Sequence, residues 1–478
     1  MRTQLVGRKE DIAILEKALI SPEAEMISVI GRRRVGKTFL IKTIYENHIN
    51  FEITGLQNAP RNEQLRNFAF QLNRVAKNSI PIPPPKDWLE AFMFLINYLE
   101  TLNQDKKLVV FLDELSWMAT HKSGFLRALS FFWNSWAVNQ NIVVVICGSA
   151  ASWMIQKVVN HRGGLHNRIT KRIDLEPFTL AETETYLKSR NVFFDRYQIV
   201  LTYMAIGGIP HYLKEIVNEE SAIQNIERIC FSKKGLLQDE FSRLYPSLFT
   251  HAEKHIEIIR TLAEHRQGIT RKKLTAKLSF KEGGTVKKIL EELEHSGFIS
   301  SFRPFAKRKK ERLYRLIDDY SLFYLKFIEH KEHEGNDIWQ QLSQTQSFKS
   351  WSGYAFENIC LKHIPQIKKA LGISGIYSLS ASFYKKGTAD TKGTQIDLLI
   401  DRNDHVINLV EIKFYNELFT LTKSYAHTLR EKQSIFRSAT QTKKQLNWVL
   451  LTTFGIIQNQ HSLGLIQKTL SLDDLFED

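Results

Sequence analysis

The stretch Met26-Ile-Ser-Val-Ile-Gly31-Arg-Arg-Arg-Val-Gly36-Lys37-Thr38-Phe39 decides the fold of this chain. A short apolar run leads into the pattern G-x-x-x-x-G-K-T, and a helix-like pattern of apolar residues follows. This order of strand, glycine-containing loop and helix is the one that a phosphate-binding loop requires. We therefore predict that nucleotide phosphates bind to the residues of this loop and the start of its helix, namely Gly31, Arg32, Arg33, Arg34, Val35, Gly36, Lys37, Thr38 and Phe39.

The residue types of this loop fit distinct tasks. Gly31 and Gly36 let the backbone turn its N–H groups towards the β-phosphate, at the positive end of the following helix. Lys37 is placed to reach the β- and γ-phosphates, and the hydroxyl of Thr38 is placed to ligate Mg²⁺. A glycine-rich turn beside a basic patch is the alternative. The surrounding strand and helix patterns favour binding of ATP with Mg²⁺.

A second motif follows a strand predicted at residues 108–112. Its continuous apolar run indicates a strand that is buried on both faces of a parallel sheet. Asp113 and Glu114 come next, at the carboxyl edge where α/β sheets bind their ligands. We expect Asp113 to hold Mg²⁺ through water, and Glu114 to orient and deprotonate the attacking water. A strand followed by a solvated acidic turn is the alternative.

Two further segments complete a family pattern: a Gly-Arg-x-Glu box at residues 7–10 and a third strand at 141–148 that leads to Ser149. With the two motifs above, they resemble the archaeal-type ATPases, which are related to AAA+ proteins and STAND switches. The resemblance implies that Ser149 contacts the γ-phosphate or the lytic water, and that a helical lid follows the core. Arg168, which comes after Gly163 and Gly164, is interpreted in two ways. It is either an arginine finger that reaches a neighbour's nucleotide in a homo-oligomer or an ordinary surface residue.

Length and composition limit the remaining possibilities. The 478 residues are enough for about three domains of ordinary size. The net charge of +15 favours an anionic partner such as nucleic acid, although a solvated basic surface is the alternative. Three scattered cysteines predict neither a disulfide framework nor a zinc site. The apolar runs are too short to span a membrane and no signal segment is recognised, so a cytoplasmic location is expected.

The middle of the chain, residues 251–317, is predicted to form a winged helix. Its patterns are three helices and then two strands, at residues 255–265, 271–278, 285–295, 298–302 and 311–316. Between Arg303 and Arg315 there are seven Lys or Arg and one acid, and the run includes Lys307, Arg308, Lys309 and Lys310. Such a wing is suited to lie along DNA phosphates, and Thr285, Lys287 and Lys288 begin the recognition-type helix. Contact with a protein through a merely solvated wing is the alternative.

The C-terminal part predicts a hairpin that carries two acids and a lysine. If residues 403–405 form the loop, Asp397 lies directly opposite Glu411, and Lys413 projects on the same face as Glu411. Two adjacent carboxylates and an ammonium on a sheet are suited to a divalent metal ion and a water-activating lysine. A strand with solvated charges is the alternative.

This hairpin, with the helix that contains Glu357, resembles the PD-(D/E)XK nuclease core found in many archaeal-type ATPases. The resemblance implies that Asp397, Glu411 and Glu357 are the metal-binding acids, with Mg²⁺ or Mn²⁺, and that Lys413 is the catalytic lysine. Ile396 replaces the proline that the family has before the aspartate.

The predicted fold class is therefore α/β. It comprises an AAA+-type P-loop ATPase core (1–175), a helical lid (176–250), a winged helix (251–317), a linker or docking surface (318–345) and a restriction-endonuclease-like domain (346–478). The function expected from this order is an ATP-hydrolysing switch that binds DNA and cleaves it in a metal-dependent way, in defence or mobile-element control. The alternative is a STAND-like signalling or scaffold ATPase that binds a protein partner, with an inert nuclease fold.

Overall fold

The computed structural model describes most of the chain, at residues 5–77, 81–102, 105–159, 165, 167–249, 251–305, 311–329, 337–387 and 392–477. The predicted hinge residues Gly163 and Gly164 and the wing residues 307–310 lie outside these ranges. The described residues form two compact units. The first contains those within 1–177, 248–250 and 291–297, and the second contains the others.

The first unit is an α/β fold around a five-stranded parallel sheet. Its strands are β1 (Glu25–Ile30), β2 (Ile49–Thr54), β3 (Leu108–Asp113), β4 (Ile142–Gly148) and β5 (Lys171–Asp174). Its helices are α1 (Lys9–Ile20), α2 (Lys37–Ile44), α3 (Arg61–Ala76), α4 (Trp88–Glu100), α5 (Leu115–Met118), α6 (Phe125–Ser135) and α7 (Ala151–Met154).

The order of the strands places the predicted motifs together. The order is β2-β3-β4-β1-β5, so β4 lies between β1, which precedes the phosphate loop, and β3, which precedes Glu114. Every residue of β1, β3 and β4 is buried, as expected for continuous apolar strands covered on both faces. Because all three strands are parallel, their carboxyl ends meet at one edge of the sheet.

The second unit begins with short helices and continues into a small three-stranded sheet. The helices are α8 (Leu180–Ser189), α9 (Arg196–Ile206), α10 (Pro210–Leu213), α11 (Ala222–Ile226), α12 (Glu240–Leu244), α13 (Ala252–Ala263), α14 (Arg271–Lys277) and α15 (Gly283–His295), whose residues from 291 onwards belong to the first unit. The strands are β6 (Ile269–Thr270), β7 (Ile299–Phe302) and β8 (Leu313–Leu316), and β8 is antiparallel to both of its neighbours. The elements from α13 to β8 occupy the residues for which the sequence predicts a winged helix, and β6 is a strand that the sequence analysis missed.

The predicted linker contains a buried helix. In α16 (Asp319–Phe327), Tyr320 and Phe323 are fully buried. Asp318 accepts a hydrogen bond from the Ser321 amide, and Asp319 accepts one of 2.6 Å from Lys362 Nζ. The helix agrees with a helical segment that serves as a docking surface, and both aspartates have partners inside the unit, while the boundary at residue 318 remains a prediction. The other predicted boundaries remain predictions.

The C-terminal part is a mixed five-stranded sheet with helices on both faces. Its helices are α17 (Ile338–Leu342), α18 (Gln346–Lys362), α19 (Ile364–Ala370) and α20 (Lys423–Thr440). The strands are β9 (Ser378–Lys385), β10 (Thr394–Arg402), β11 (Val406–Lys413), β12 (Phe419–Thr420), β13 (Gln445–Thr452), β14 (Ile456–Ile457) and β15 (Ile466–Leu470). The sheet order is β15-β13-β11-β10-β9, and β12 pairs separately with β14. The α18 helix packs against β11, and the apolar face of α20 joins the core on the sheet.

The composition led to expectations about the cysteines and about membrane-spanning segments, and the structure describes both features. Cys147, Cys230 and Cys360 are buried and free, and burial raises the pKa of each thiol. A raised pKa leaves little thiolate, so these side chains are poor nucleophiles and metal ligands. Within the described ranges, no helix combines the length and the apolar character needed to cross a membrane.

Candidate functional site

The phosphate loop connects β1 to α2 and closes around a lysine. Gly36 has a φ of +96°, a conformation that residues with a Cβ rarely adopt. Gly31 is also required, because a Cβ there would lie 2.5 Å from the Leu175 carbonyl oxygen. Lys37 is buried, and its Nζ donates to the carbonyls of Gly31 at 2.8 Å and Arg32 at 3.0 Å. These bonds hold the ammonium group inside the loop, where the sequence places it.

The two residues predicted to serve Mg²⁺ are in contact. The Thr38 hydroxyl, at the start of α2, donates to Asp113 Oδ2 at 2.7 Å. Asp113, at the end of β3, is only 4% exposed, and its Oδ1 accepts from the Glu114 amide at 2.9 Å. A hydroxyl and a carboxylate oxygen are the donor types that Mg²⁺ prefers, so the residues present fit this ion.

Glu114 and Ser149 form the third part of the site. Glu114 Oε2 accepts from the Ser149 hydroxyl at 2.8 Å and from the Ser149 amide at 3.2 Å. The Glu114 backbone is left-handed, with a φ of 49°, which costs a residue with a Cβ on the order of 1–2 kcal/mol. The insertion of β4 between β1 and β3 places Ser149 beside Glu114. The structure therefore brings together the proposed water-activating acid and the residue expected to sense the γ-phosphate.

Arg8 is a residue of this site that the sequence analysis did not single out. Its Nη2 donates to the carbonyl of Val35 in the phosphate loop at 3.4 Å, and its side chain is buried. Gly7 and Arg8 both have positive φ values, which turn the chain towards the loop. The Gly-Arg-x-Glu box at residues 7–10 could have indicated this role, because its arginine is the residue that contacts the loop.

Arg168 lies away from these residues. It is exposed, and it lines a surface pocket with Pro22, Ala24 and Asn141, which precede β1 and β4. This is the amino edge of the sheet, whereas the phosphate loop is at the carboxyl edge. Arg168 therefore does not reach the nucleotide site of its own chain, and its action on a neighbour's nucleotide remains a prediction. The Phe39 side chain is 43% exposed, and the role of this residue in nucleotide binding remains a prediction.

The C-terminal hairpin has the predicted register. Leu398 pairs with Val410, and the following pairs keep the same sum of residue numbers, which places Asp397 opposite Glu411. Asp397 Oδ2 accepts from the Ile412 amide at 3.1 Å. The hairpin prediction is therefore confirmed, and the two acids lie side by side at the end of the β10–β11 ladder.

Glu411 is held by two lysines and a tyrosine. Lys432 Nζ lies 3.0 Å and 2.8 Å from its two carboxylate oxygens, Lys413 Nζ lies 3.0 Å from Oε1, and the Tyr425 hydroxyl also donates to Oε1. Burial disfavours the charged form of Glu411, which is 1% exposed, but the two lysines outweigh it and lower its pKa. Burial likewise opposes the charge of Lys413, and Glu411 raises the pKa of that lysine above its ordinary value.

The other two acids are in different environments. Burial, together with Glu411 and Glu357, raises the pKa of Asp397 to about 7. Glu357 Oε1 accepts from Arg315 Nη1 at 3.2 Å, and burial raises the pKa of Glu357 although this arginine lowers it. The part of the chain that the structure describes contains no group of three or more His, Cys, Asp or Glu placed to hold a metal ion. Glu357 is paired with Arg315 and both oxygens of Glu411 contact Lys432, so the binding of a metal ion by these three acids remains a prediction.

Sequence reasoning identified Lys413 but missed the other partners of these acids, Lys432, Tyr425 and Arg315. Tyr425 and Lys432 lie seven residues apart on α20, so they share one face two turns apart. That spacing was a usable signal, but only the fold shows that this face covers Glu411. Arg315 belongs to β8, and nothing in its local pattern indicates that it pairs with an acid on α18.

Comparisons with known proteins give the most specific match for the N-terminal part of the chain. Residues 5–216 match a family described as an ATPase domain predominantly from Archaea. An uncharacterized protein of Methanocaldococcus jannaschii is 23% identical over 418 residues, which are 86% of this chain and 87% of that protein. An uncharacterized ATP-binding protein of the same organism is 50% identical over 42 residues, which are 9% of this chain and 71% of that protein.

One solved structure provides evidence on the fold. The Walker-type ATPase of Pyrococcus abyssi aligns with a TM-score of 0.50 and 18% identity, over 68% of this chain and 97% of that one. At this identity the likeness shows a shared fold and no more. It agrees with the α/β architecture and parallel sheet described above.

Proposed function

We propose that this protein, whose residues 5–216 belong to the archaeal-type ATPase domains, is an ATP-hydrolysing switch of the AAA+ type that binds DNA. The observation that carries the proposal is the pair of contacts at the carboxyl edge of the sheet. Thr38 is bonded to Asp113, and Ser149 is bonded to Glu114. The first bond joins the start of α2 to the last residue of β3, and the second joins the residue after β4 to the residue after β3.

These residues divide the work of phosphoryl transfer between them. Lys37 would exchange its two loop carbonyls for the β- and γ-phosphates, and Thr38 and Asp113 would hold Mg²⁺, which would neutralise charge on the phosphates. Glu114 accepts the proton of the attacking water once Ser149 turns its hydroxyl to the γ-phosphate. The Ser149–Glu114 bond therefore orients the base at the carboxyl edge of the sheet.

For the C-terminal part we propose a metal-dependent nuclease that is closed in the arrangement described here. Asp397 and Glu411 are hard oxygen donors suited to Mg²⁺ or Mn²⁺, an ion that would activate water for attack on a phosphodiester. Lys413 would stand beside the attacked phosphate. Lys432 occupies both oxygens of Glu411, so opening of the site requires this lysine to leave.

A specific observation favours a second candidate. Arg315 and the two lysines satisfy Glu357 and Glu411 without any metal ion. A cluster neutralised in this way is consistent with an inert nuclease fold in a STAND-like ATPase that binds a protein partner. Assembly into a homo-oligomer, with Arg168 acting on the neighbouring nucleotide, is compatible with either candidate.

Incubation with plasmid DNA tests the proposal and separates the candidates. Purified protein is mixed with plasmid, Mg²⁺ or Mn²⁺, and either ATP or a non-hydrolysable analogue. Metal-dependent nicking that disappears in Asp397→Asn supports the nuclease. Binding of DNA without nicking, together with ATP turnover, leaves a switch with an inert C-terminal fold. Absence of DNA binding under all of these conditions favours the protein-partner candidate.

A further inference from the structure

A basic groove lies on the side of the predicted winged helix formed by α14 and the three-stranded sheet. It encloses about 1000 Å³, and its lining includes Arg271 and Lys272 of α14. Arg303 and Arg312, which flank the sheet, and Lys281 add three further cations. All five side chains are exposed, and none of the described lining residues is acidic.

These cations are not neutralised by neighbouring acids. Among the described residues, none of the five makes an ion pair or a side-chain hydrogen bond. The recognition-type helix differs, because α15 carries Lys287 and Lys288 but also three glutamates, at positions 291, 292 and 294. Positive charge is therefore concentrated in the groove rather than on the helix that the sequence analysis favoured for DNA contact.

Aromatic side chains lie among the cations. Phe302 and Tyr314 are half-buried and line the same groove. Because β7 and β8 pair Ser301 with Tyr314 and Phe302 with Leu313, the two rings project from opposite faces of the sheet, and Arg315 lies over the Phe302 ring. Grooves that bind single strands combine cations, which follow the phosphates, with rings on which bases stack.

We infer that this groove binds a single nucleic-acid strand through its phosphates, with a base against Tyr314. The inference deepens the proposed DNA-binding function and rests on it. Arg271 and Lys272 contact the strand from the helix side, and Arg303 and Arg312 contact it from the sheet side. The contact is independent of base sequence, because phosphates carry no sequence information.

Fluorescence anisotropy on the full chain tests the inference. The probes are a labelled oligothymidine strand, an oligouridine strand and a duplex of equal length, each titrated at several salt concentrations. Two groove variants are used, Arg271→Ala with Lys272→Ala and Arg303→Ala with Arg312→Ala. The matched control is Lys273→Ala with Lys277→Ala, which removes the same charge from α14 outside the groove. A further variant, Lys287→Ala with Lys288→Ala, tests α15.

The expected result is that the parent binds single strands more tightly than duplex. Each groove variant should bind more weakly and flatten the log–log salt slope by about 0.7 for each phosphate that is no longer neutralised, while the control keeps the parent's slope. Oligouridine binding at equal strength shows that neither the 2′-hydroxyl nor the thymine methyl group is needed, and a preference for one strand type shows that one of these two groups is contacted. If the parent binds DNA and only the α15 variant has a lower affinity, the groove is excluded as the binding site, while the proposed DNA-binding function is retained. If the parent binds neither probe class, the proposed DNA-binding function itself fails.

Discussion

Removal of Lys432 tests how the cluster around Glu411 is held. In Lys432→Met the buried carboxylate loses the ammonium that lies within 3.0 Å of both of its oxygens. Methionine keeps most of the apolar stem, so packing of α20 on the sheet should change little. The variant therefore isolates the charge interaction.

The size of the effect follows from the partners that remain. Breaking a buried ion pair costs about 3–5 kcal/mol when the remaining charge has no other partner. Glu411 keeps Lys413 and Tyr425, so the loss is closer to that of a hydrogen bond to a charged group, about 1.5–3 kcal/mol. Local opening of β11 and α20 should therefore become on the order of 10–150-fold more frequent.

Hydrogen–deuterium exchange on the full chain measures this opening, in peptides that cover β11 and α20. The matched control is Lys392→Met, which removes an exposed ion pair with Glu431 and should leave local stability almost unchanged, because solvent screens that pair. Mg²⁺ should restore protection in Lys432→Met, because Asp397 and Glu411 then gain a cation. Equal exchange in the two variants, without a response to Mg²⁺, would refute the reasoning.

Three other outcomes are expected. Ser149→Ala should slow ATP turnover, since Glu114 loses the partner that orients it, and unchanged turnover in a phosphate-release assay would remove Ser149 from the mechanism. Asp397→Asn should abolish any metal-dependent rise in melting temperature, while it leaves or slightly raises the stability without metal. If the metal ion still raises the melting temperature of Asp397→Asn, the ion binds at another site. Burial lowers the pKa of His363 to about 4, so its stabilising contribution is present above the unfolded value of about 6.5 and is lost as pH falls towards 4. The stability difference between the parent and His363→Gln, measured by melting, should therefore narrow between pH 7 and pH 4, and a constant difference would contradict this.

The sequence was sufficient to predict those features that depend on the order of neighbouring residues along the chain. The phosphate loop, the acids after β3 and the hairpin register each follow from a short pattern, and the register is the one observed. Side chains alternate between the two faces of a strand, so the residues of β10 and β11 that share a face are fixed once the register is known. Assigning residues 403–405 to the loop set that register and placed Asp397 opposite Glu411.

The features that could not be predicted depend on distant residues. Asp318 and Asp319 indicate solvent exposure by composition, yet Lys362, more than 40 residues away, pairs with Asp319 and permits its burial. In the same way, the pairing of Glu357 with Arg315 joins a helix to a strand of another sheet. The position of Arg168 relative to the phosphate loop depended on the strand order, which no local pattern specified.

Calorimetric ATP binding and steady-state ATP hydrolysis by the parent, Lys37→Ala and Glu114→Gln test the central claim most directly. We predict that Lys37→Ala does not bind ATP, because the phosphate charge loses the loop ammonium. Glu114→Gln should bind ATP with the parent's affinity but hydrolyse it on the order of 10²–10⁴-fold more slowly, because the base is absent while Thr38 and Asp113 remain. Unchanged ATP affinity in Lys37→Ala, or unchanged turnover in Glu114→Gln, would contradict the assignment of this site.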